Sequence, residues 1–351
     1  MIKKIKIRIN KLDKLTSVIT VSGYGISYGV DVDHKKNIYI PSFDRGLIYK
    51  ISSNLKVVKS YDLNKKGLVE TKQSFGHILK PHEVSFDSKK NIYITEMGYG
   101  YGNCAGRVTK ISPSGKLLKI IGLNHNNGKG LNAPTVSFRA KDKCLYVSEW
   151  KANKILRYNK KYELTGWLGK FNGYEKEKKE FFFRCKNKKG YLNHPHALRL
   201  GPDNNLYVVD TNNHRIVKYD INGNYIGWLG KKENGIINNN WSKNGNSVKG
   251  KELGAFSGPL DLEFYNNKIY ISDNDNHRIL KLDLSGKVMG WIGKSNKSNR
   301  NIIWMTKGYS SRDKGIYGFS NPFGLRVRKN FLYVADRGNN RIKVIKSKLI
   351  N

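Results

Sequence analysis

One short pattern recurs six times along this chain of 351 residues, and it constrains the fold more than any other feature. An apolar residue, a tyrosine and a second apolar residue are followed two positions later by an acid or a substitute for one. The copies are Ile38-Tyr39-Ile40, Ile92-Tyr93-Ile94, Leu145-Tyr146-Val147, Leu206-Tyr207-Val208, Ile269-Tyr270-Ile271 and Leu332-Tyr333-Val334. Their tyrosines are 54, 53, 61, 63 and 63 residues apart. Self-similarity at such a period marks stacked or radially arranged units, each too small to bury a core alone.

Within a repeat the hydrophobic period is two. The fourth copy shows it best. Ala197-Leu198-Arg199-Leu200, Leu206-Tyr207-Val208-Val209, Arg215-Ile216-Val217-Lys218-Tyr219 and Tyr225-Ile226-Gly227-Trp228-Leu229 are separated by Gly-Pro-Asp-Asn-Asn and similar turn residues. These are four short strands of an antiparallel meander. Six such sheets close into an all-β, six-bladed β-propeller, which protects its sheet edges by closure. The sixth repeat ends with its third strand, Arg341 to Ile345, whereas Thr16 to Val21 reads as the end of a repeat with no beginning. The N-terminal strand is therefore expected to complete the last blade. The expected layout is a single domain over 1–351, with a basic lead-in at 1–15 and blades at 28–64, 81–121, 133–169, 195–230, 259–293 and 16–21 plus 321–348.

Asn213-His214-Arg215-Ile216 and Asn276-His277-Arg278-Ile279, with the looser Asn340-Arg341-Ile342 and Asn153-Lys154-Ile155, resemble the namesake stretch of the NHL repeat family. Gly254-Ala255-Phe256-Ser257-Gly258-Pro259 is similar to the family's entry to each blade, with looser versions at Gly190 to Pro195 and Gly318 to Pro322. The resemblance implies the propeller but leaves function open, because the family includes RNA binders, protein scaffolds and metal-dependent lyases.

Topology puts the long connections at one rim. They are residues 122–132, 170–194, 231–257 and 294–320, and long loops on a rigid scaffold are where binding usually resides. They are basic and aromatic, with Lys170, Arg184, Lys231, Lys232, Trp241, Arg300, Trp304 and Lys307 as the candidate binding surface. The alternative role for the aromatic residues, Trp304 and Phe181 to Phe183 included, is to anchor their loops to the disc. The whole chain has 65 Lys plus Arg against 27 Asp plus Glu, a formal charge of +38 that attracts polyanions. Abundant Lys, Asn, Ile and Tyr also fit an AT-rich genome, which explains many lysines but not the shortage of acids.

Two columns lie nearer the axis. Ser42, Glu96, Glu149, Asp210, Asp273 and Asp336 follow the second strands. The resemblance implies a structural role for Asp210, Asp273 and Asp336, each bonding turn amides or the following Arg215, Arg278 or Arg341. The entry to the first strand reads Tyr28, His82, Pro134, His196, Leu260 and Phe323. His82 and His196 each follow a proline two blades apart, which resembles the alternate-blade metal histidines of peptide amidating lyases. Phe323 occupies the third such position, so zinc or calcium would need Glu83, Glu96 or Glu149 as a further ligand.

The leading expectation is a non-enzymatic binding or scaffold propeller that needs no cofactor and holds a polyanion (RNA or an anionic glycan) or a protein partner. The rival is a metal-dependent lyase or hydrolase at the axial channel. Charges break every apolar run from Met1 onward, so neither a signal peptide nor a membrane span is expected and the cytoplasm is the expected location. Cys104, Cys144 and Cys185 have no metal or disulfide spacing and read as plain thiols. Walker A, HExxH and Gly-x-Ser-x-Gly patterns are absent.

Overall fold

Each tyrosine repeat becomes the second strand of a sheet, and every residue of that strand is buried in Ile38–Ser42, Ile92–Glu96, Leu145–Glu149 and Leu206–Asp210. A strand covered on both faces must be largely apolar on both, so these second strands depart from the period of two expected within each repeat and form continuous runs. The computed structural model describes residues 5–11, 17–63, 80–97, 106–122, 130–131, 133–139, 144–169, 191–295, 303–346 and 350. Among these, six antiparallel sheets of at least four strands, each in the order inner to outer, form a six-bladed β-propeller. No helix among the described residues is long and apolar enough to cross a membrane.

The cores lie between blades. Val209, Ile216 and Leu229 of blade 4 pack with Leu262, Ile269 and Ile271 of blade 5, and Trp291 at 0% exposure closes the same cluster. Burying such a side chain contributes roughly 1.5–3 kcal/mol, so every blade depends on its neighbours for stability.

Ser17–Ser22 pairs antiparallel with Arg341–Lys346, from Ser17 opposite Lys346 to Ser22 opposite Arg341. The sixth sheet thus takes its fourth strand from the N-terminal segment. The basic lead-in also has a structure of its own: Lys6–Lys11 pairs with Ser17–Ser22 as a fifth strand. Three of its six residues, Lys6, Arg8 and Lys11, are charged and exposed, as suits an edge that must not recruit another chain.

The connections after blades 4 and 5 differ from the expectation of loops gathered on one face. Trp228 and Ser242 exchange backbone hydrogen bonds at 2.9 and 3.0 Å, and Trp291 and Met305 do the same at 2.9 Å each. Each connection therefore folds back along the outer edge of its own blade, and Ser310–Ser311 pairs beside Lys294–Ser295. Unpaired edge groups are the physical reason, since a strand edge bonds to whatever backbone reaches it. The approach is close: a Cβ on Gly227 would lie 3.0 Å from the Ser242 carbonyl, and one on Gly290 3.1 Å from that of Met305. The glycine before each tryptophan is what admits the strap.

Candidate functional site

The acid column is a structural staple. Arg215 Nε donates to Asp210 at 2.7 Å, Arg278 Nε to Asp273 at 2.8 Å and Arg341 Nε to Asp336 at 2.7 Å. The other oxygen of each carboxylate accepts the backbone N–H of Asn193, Ser257 or Ser320 at 2.6–2.7 Å, just ahead of the inner strand. One aspartate thus ties the turn, the third strand and the incoming connection together. Arg278 continues outward to the carbonyls of Lys251, Glu252 and Ala255, so it also fixes the strap. Glu96 belongs to the same scheme, with Arg107 Nε at 2.6 Å and both side chains nearly unexposed. Glu149 stands opposite Lys154 in the equivalent register.

At the entry column, Pro81, Pro134, Pro195, Pro259 and Pro322 each oppose the acid of their own blade. The blade 3 member beside His82 and His196 is therefore Thr135, not Pro134. A register shift follows this proline in every one of these strands, and Thr135 follows the blade 3 proline as His82 and His196 follow theirs. Thr135 Oγ1 bonds the His196 carbonyl at 2.7 Å.

His82 and His196 do meet at the axis, with ring centroids 5.2 Å apart. Tyr28 stacks on His82 at 4.7 Å, and Phe323 touches His196 at 4.7 Å and His82 at 5.5 Å. The four rings close the channel. His196 Nδ1 lies 2.9 Å from the Leu260 carbonyl, so that nitrogen carries the proton and Nε2 is left bare and without a partner. Burial depresses its pKa to about 4; burial, and then the neighbouring His196, hold His82 well below the ordinary imidazole value. Both rings are neutral. Of the candidate carboxylates, Glu96 is bound to Arg107, and no group of three or more His, Cys, Asp or Glu among the described residues could hold a metal ion. The residues proposed as ligands are not brought together as one site.

Further along the axis lies a charged layer that the sequence reading missed. Arg326, 3% exposed, reaches Asp261 at 2.9 Å, Asp31 at 3.2 Å and Glu263 at 3.5 Å. Arg199 adds a contact to Asp261 at 3.1 Å and Arg328 one to Glu263 at 3.2 Å. Glu83 is the odd member. Its closest guanidinium nitrogen is 4.0 Å away and neither carboxyl oxygen has a hydrogen-bond partner. Burial, and then the Asp261 charge, push its pKa well above the carboxylate value of 4.5. With Glu83 protonated, the three guanidiniums of Arg199, Arg326 and Arg328 face the three carboxylates of Asp31, Asp261 and Glu263.

The sign of the resulting pH dependence follows. The unfolded chain releases this proton near pH 4.5 while the folded chain retains it, so stability is lost as pH rises above that value. Glu83→Gln is expected to match the parent protein at pH 4 and to melt a few degrees higher at pH 7, because each kcal/mol moves a domain of this size by roughly 2–4 °C. Thermal melts at both pH values check this; equal melting at pH 7 would mean that Glu83 is ionised.

The basic surface residues fall into two groups. Lys170, Arg184 and Arg300 lie outside the described residues. Trp241 is an anchor: its Nε1 donates to the Leu284 carbonyl at 3.0 Å and its ring meets Tyr207 at 5.2 Å. Trp304 packs on Tyr270 at 5.8 Å. Lysines fill the gaps, with Lys218 5.1 Å from both Tyr207 and Trp241 and Lys281 between Tyr270 and Trp304. Lys231 is bound to Glu252 at 2.6 Å, Lys232 is half-buried and Lys307 is exposed.

The NHL repeat profile matches residues 192–219, the first three strands of blade 4. No curated protein matches the sequence. Among solved structures, the chain is similar to virginiamycin B lyase from Staphylococcus aureus, at 15% identity and a TM-score of 0.53 over 98% of this chain and 99% of that one. It is also similar to an auxiliary nutrient binding protein from Bacteroides ovatus, at 13% identity and a TM-score of 0.61 over 97% and 76%. At such identities the likeness is one of fold. The chain is a six-bladed β-propeller that carries an NHL repeat in its fourth blade.

Proposed function

We propose that the protein is a non-enzymatic binding propeller that holds a polyanion on its lysine-rich surface. The observation that carries this reading is where the acids go. Asp210, Asp273, Asp336 and Glu96 are consumed in buried pairs, and Asp31, Asp261 and Glu263 by the axial arginines. Asp87 and Asp203 bind Lys110 and Lys218 at 3.1 and 2.7 Å. Pairing takes nine of the 27 acids, so the rest of the chain is in proportion more cationic than 65 Lys plus Arg against 27 acids implies. The straps after blades 4 and 5 present part of that surplus: Lys249, Lys251, Lys307 and Lys314 are exposed, and Lys251 stands 5.0 Å over the exposed Tyr309 ring. Cations beside an exposed ring suit phosphate or sulfate esters.

Binding of poly(U) RNA and of heparin is expected to weaken log-linearly with salt, and Lys232→Glu, Lys251→Glu and Lys307→Glu together should lower affinity by about tenfold or more at 100 mM salt. Fluorescence anisotropy across a salt series checks it. Affinity that ignores salt, or no binding to either polymer at 50 mM, would remove the reading.

A further inference from the structure

We propose that the axial mouth at the inner-strand entries binds a small ligand that joins an anionic group to a flat ring. The residue following the acid in each blade forms a collar there: Phe43, Met97, Trp150, Thr211, Asn274 and Arg337. In a repeat fold, positions held constant in every unit carry the architecture. The acid position is nearly constant, whereas this next position differs in all six blades. Collar residues reach the entry of the following blade: Thr211 bonds the Pro259 carbonyl at 2.8 Å and Asn274 that of Pro322 at 3.1 Å. Likewise Trp150 meets His194 at 4.7 Å and Lys80 sits 5.3 Å over Phe43. Arg337 closes the circle 4.7 Å over Tyr28.

The collar is chemically lopsided. Thr211 and Asn274 are buried, Thr211 Oγ1 and Asn274 Nδ2 donate to carbonyls and Asn274 Oδ1 accepts from Asn321 Nδ2, so that side is closed. The opposite side has two cations over two rings that touch each other, Tyr28 and Phe43 at 4.9 Å, with half-buried Phe323 4.9 Å from Tyr28. Arg337 is exposed, and among the described residues its guanidinium meets the Tyr28 hydroxyl at 3.2 Å and no carboxylate. Arg215, Arg278 and Arg341, by contrast, are all bound to aspartates. Asp44 of the same rim is turned back onto the Ile26 N–H at 2.8 Å. A guanidinium seated over a ring, with one amino group on that ring's hydroxyl, leaves its remaining N–H groups for a phosphate or carboxylate. The rings beside it offer edges and faces to a planar group. His82 and His196, both 3% exposed, seal the floor, so the ligand is short and does not thread the axis.

The test uses the full chain with 1-naphthyl phosphate, 1-naphthoate, inorganic phosphate and neutral 1-naphthylmethanol, measured by titration calorimetry. Naphthyl phosphate or naphthoate should bind about tenfold more tightly than either inorganic phosphate or the alcohol, since charge and ring act together. The phosphate and carboxylate arms distinguish the preferred anion. Arg337→Gln should lose about tenfold with an unchanged melting temperature, whereas Lys160→Gln, at an exposed turn of blade 3, should leave affinity as it was. Equal binding of the alcohol or of bare phosphate, an Arg337→Gln variant that binds as before, or no binding of any probe would overturn the proposal.

Discussion

Deleting residues 1–22 should abolish cooperative unfolding and drive the protein to aggregate. Three losses coincide. The six-residue ladder between Ser17–Ser22 and Arg341–Lys346 disappears, which exposes the edge of blade 6. Val18, at 0% exposure, leaves the cluster it shares with Tyr270, Ile279 and Val334, and Val21 leaves the one it shares with Val30, Ile40 and Tyr333. Two buried valines contribute about 3–5 kcal/mol together, a large part of the 5–15 kcal/mol that a folded domain ordinarily has. These clusters join blade 6 to blades 5 and 1, so the damage falls on closure of the ring. Circular dichroism melts and size-exclusion chromatography decide the matter, and restored cooperativity on adding a peptide of residues 5–24 would assign the effect to the missing strands. A truncated protein that melts within about 2 °C of the full chain would show that the clasp contributes little.

Arg326→Met is expected to cost about 3–5 kcal/mol at pH 7, because it removes the guanidinium shared by Asp31, Asp261 and Glu263 and leaves three carboxylates, none with a side chain above 13% exposure, to Arg199 and Arg328 alone. Arg326 also donates to the Leu325 carbonyl at 2.5 Å, so one side chain holds the inner strands of blades 5, 6 and 1 together. Urea denaturation at pH 7 measures this. Combining Arg326→Met with Asp261→Asn should recover part of the loss, because the neutral amide removes the most deeply buried of the three charges. A single variant as stable as the parent at pH 7 would mean that the axial charges are screened by water.

Much of the architecture was legible from local chemistry alone. Tyr207 and its five counterparts mark the second strands because a strand covered on both faces must be largely apolar. Asp210, Asn213 and Arg215 repeat as Asp273, Asn276 and Arg278 because the aspartate must satisfy a turn amide, an arginine and the incoming backbone at once. Spacing was enough to put His82 and His196 at the axis, since pseudo-symmetry places equal repeat positions at equal radii.

What spacing could not carry was contact between distant blades. The blade 3 position is Thr135, which the entry prolines themselves mark, since Pro134 stands where Pro81, Pro195, Pro259 and Pro322 do. Arg326 finds Asp261 65 residues away and Asp31 at the far end of the chain, so neither partner could be read from a local motif. The lysine-rich connections after blades 4 and 5 read as one binding face, yet their tryptophans turned them along the rim, because an open strand edge captures the nearest backbone. The sequence by itself determined the number of blades, their strands and the staple in each turn, all of which depend on interactions within about fifty residues. Only the tertiary structure decided which charges meet at the axis and which edges the straps cover, because those contacts exist only once the ring has closed.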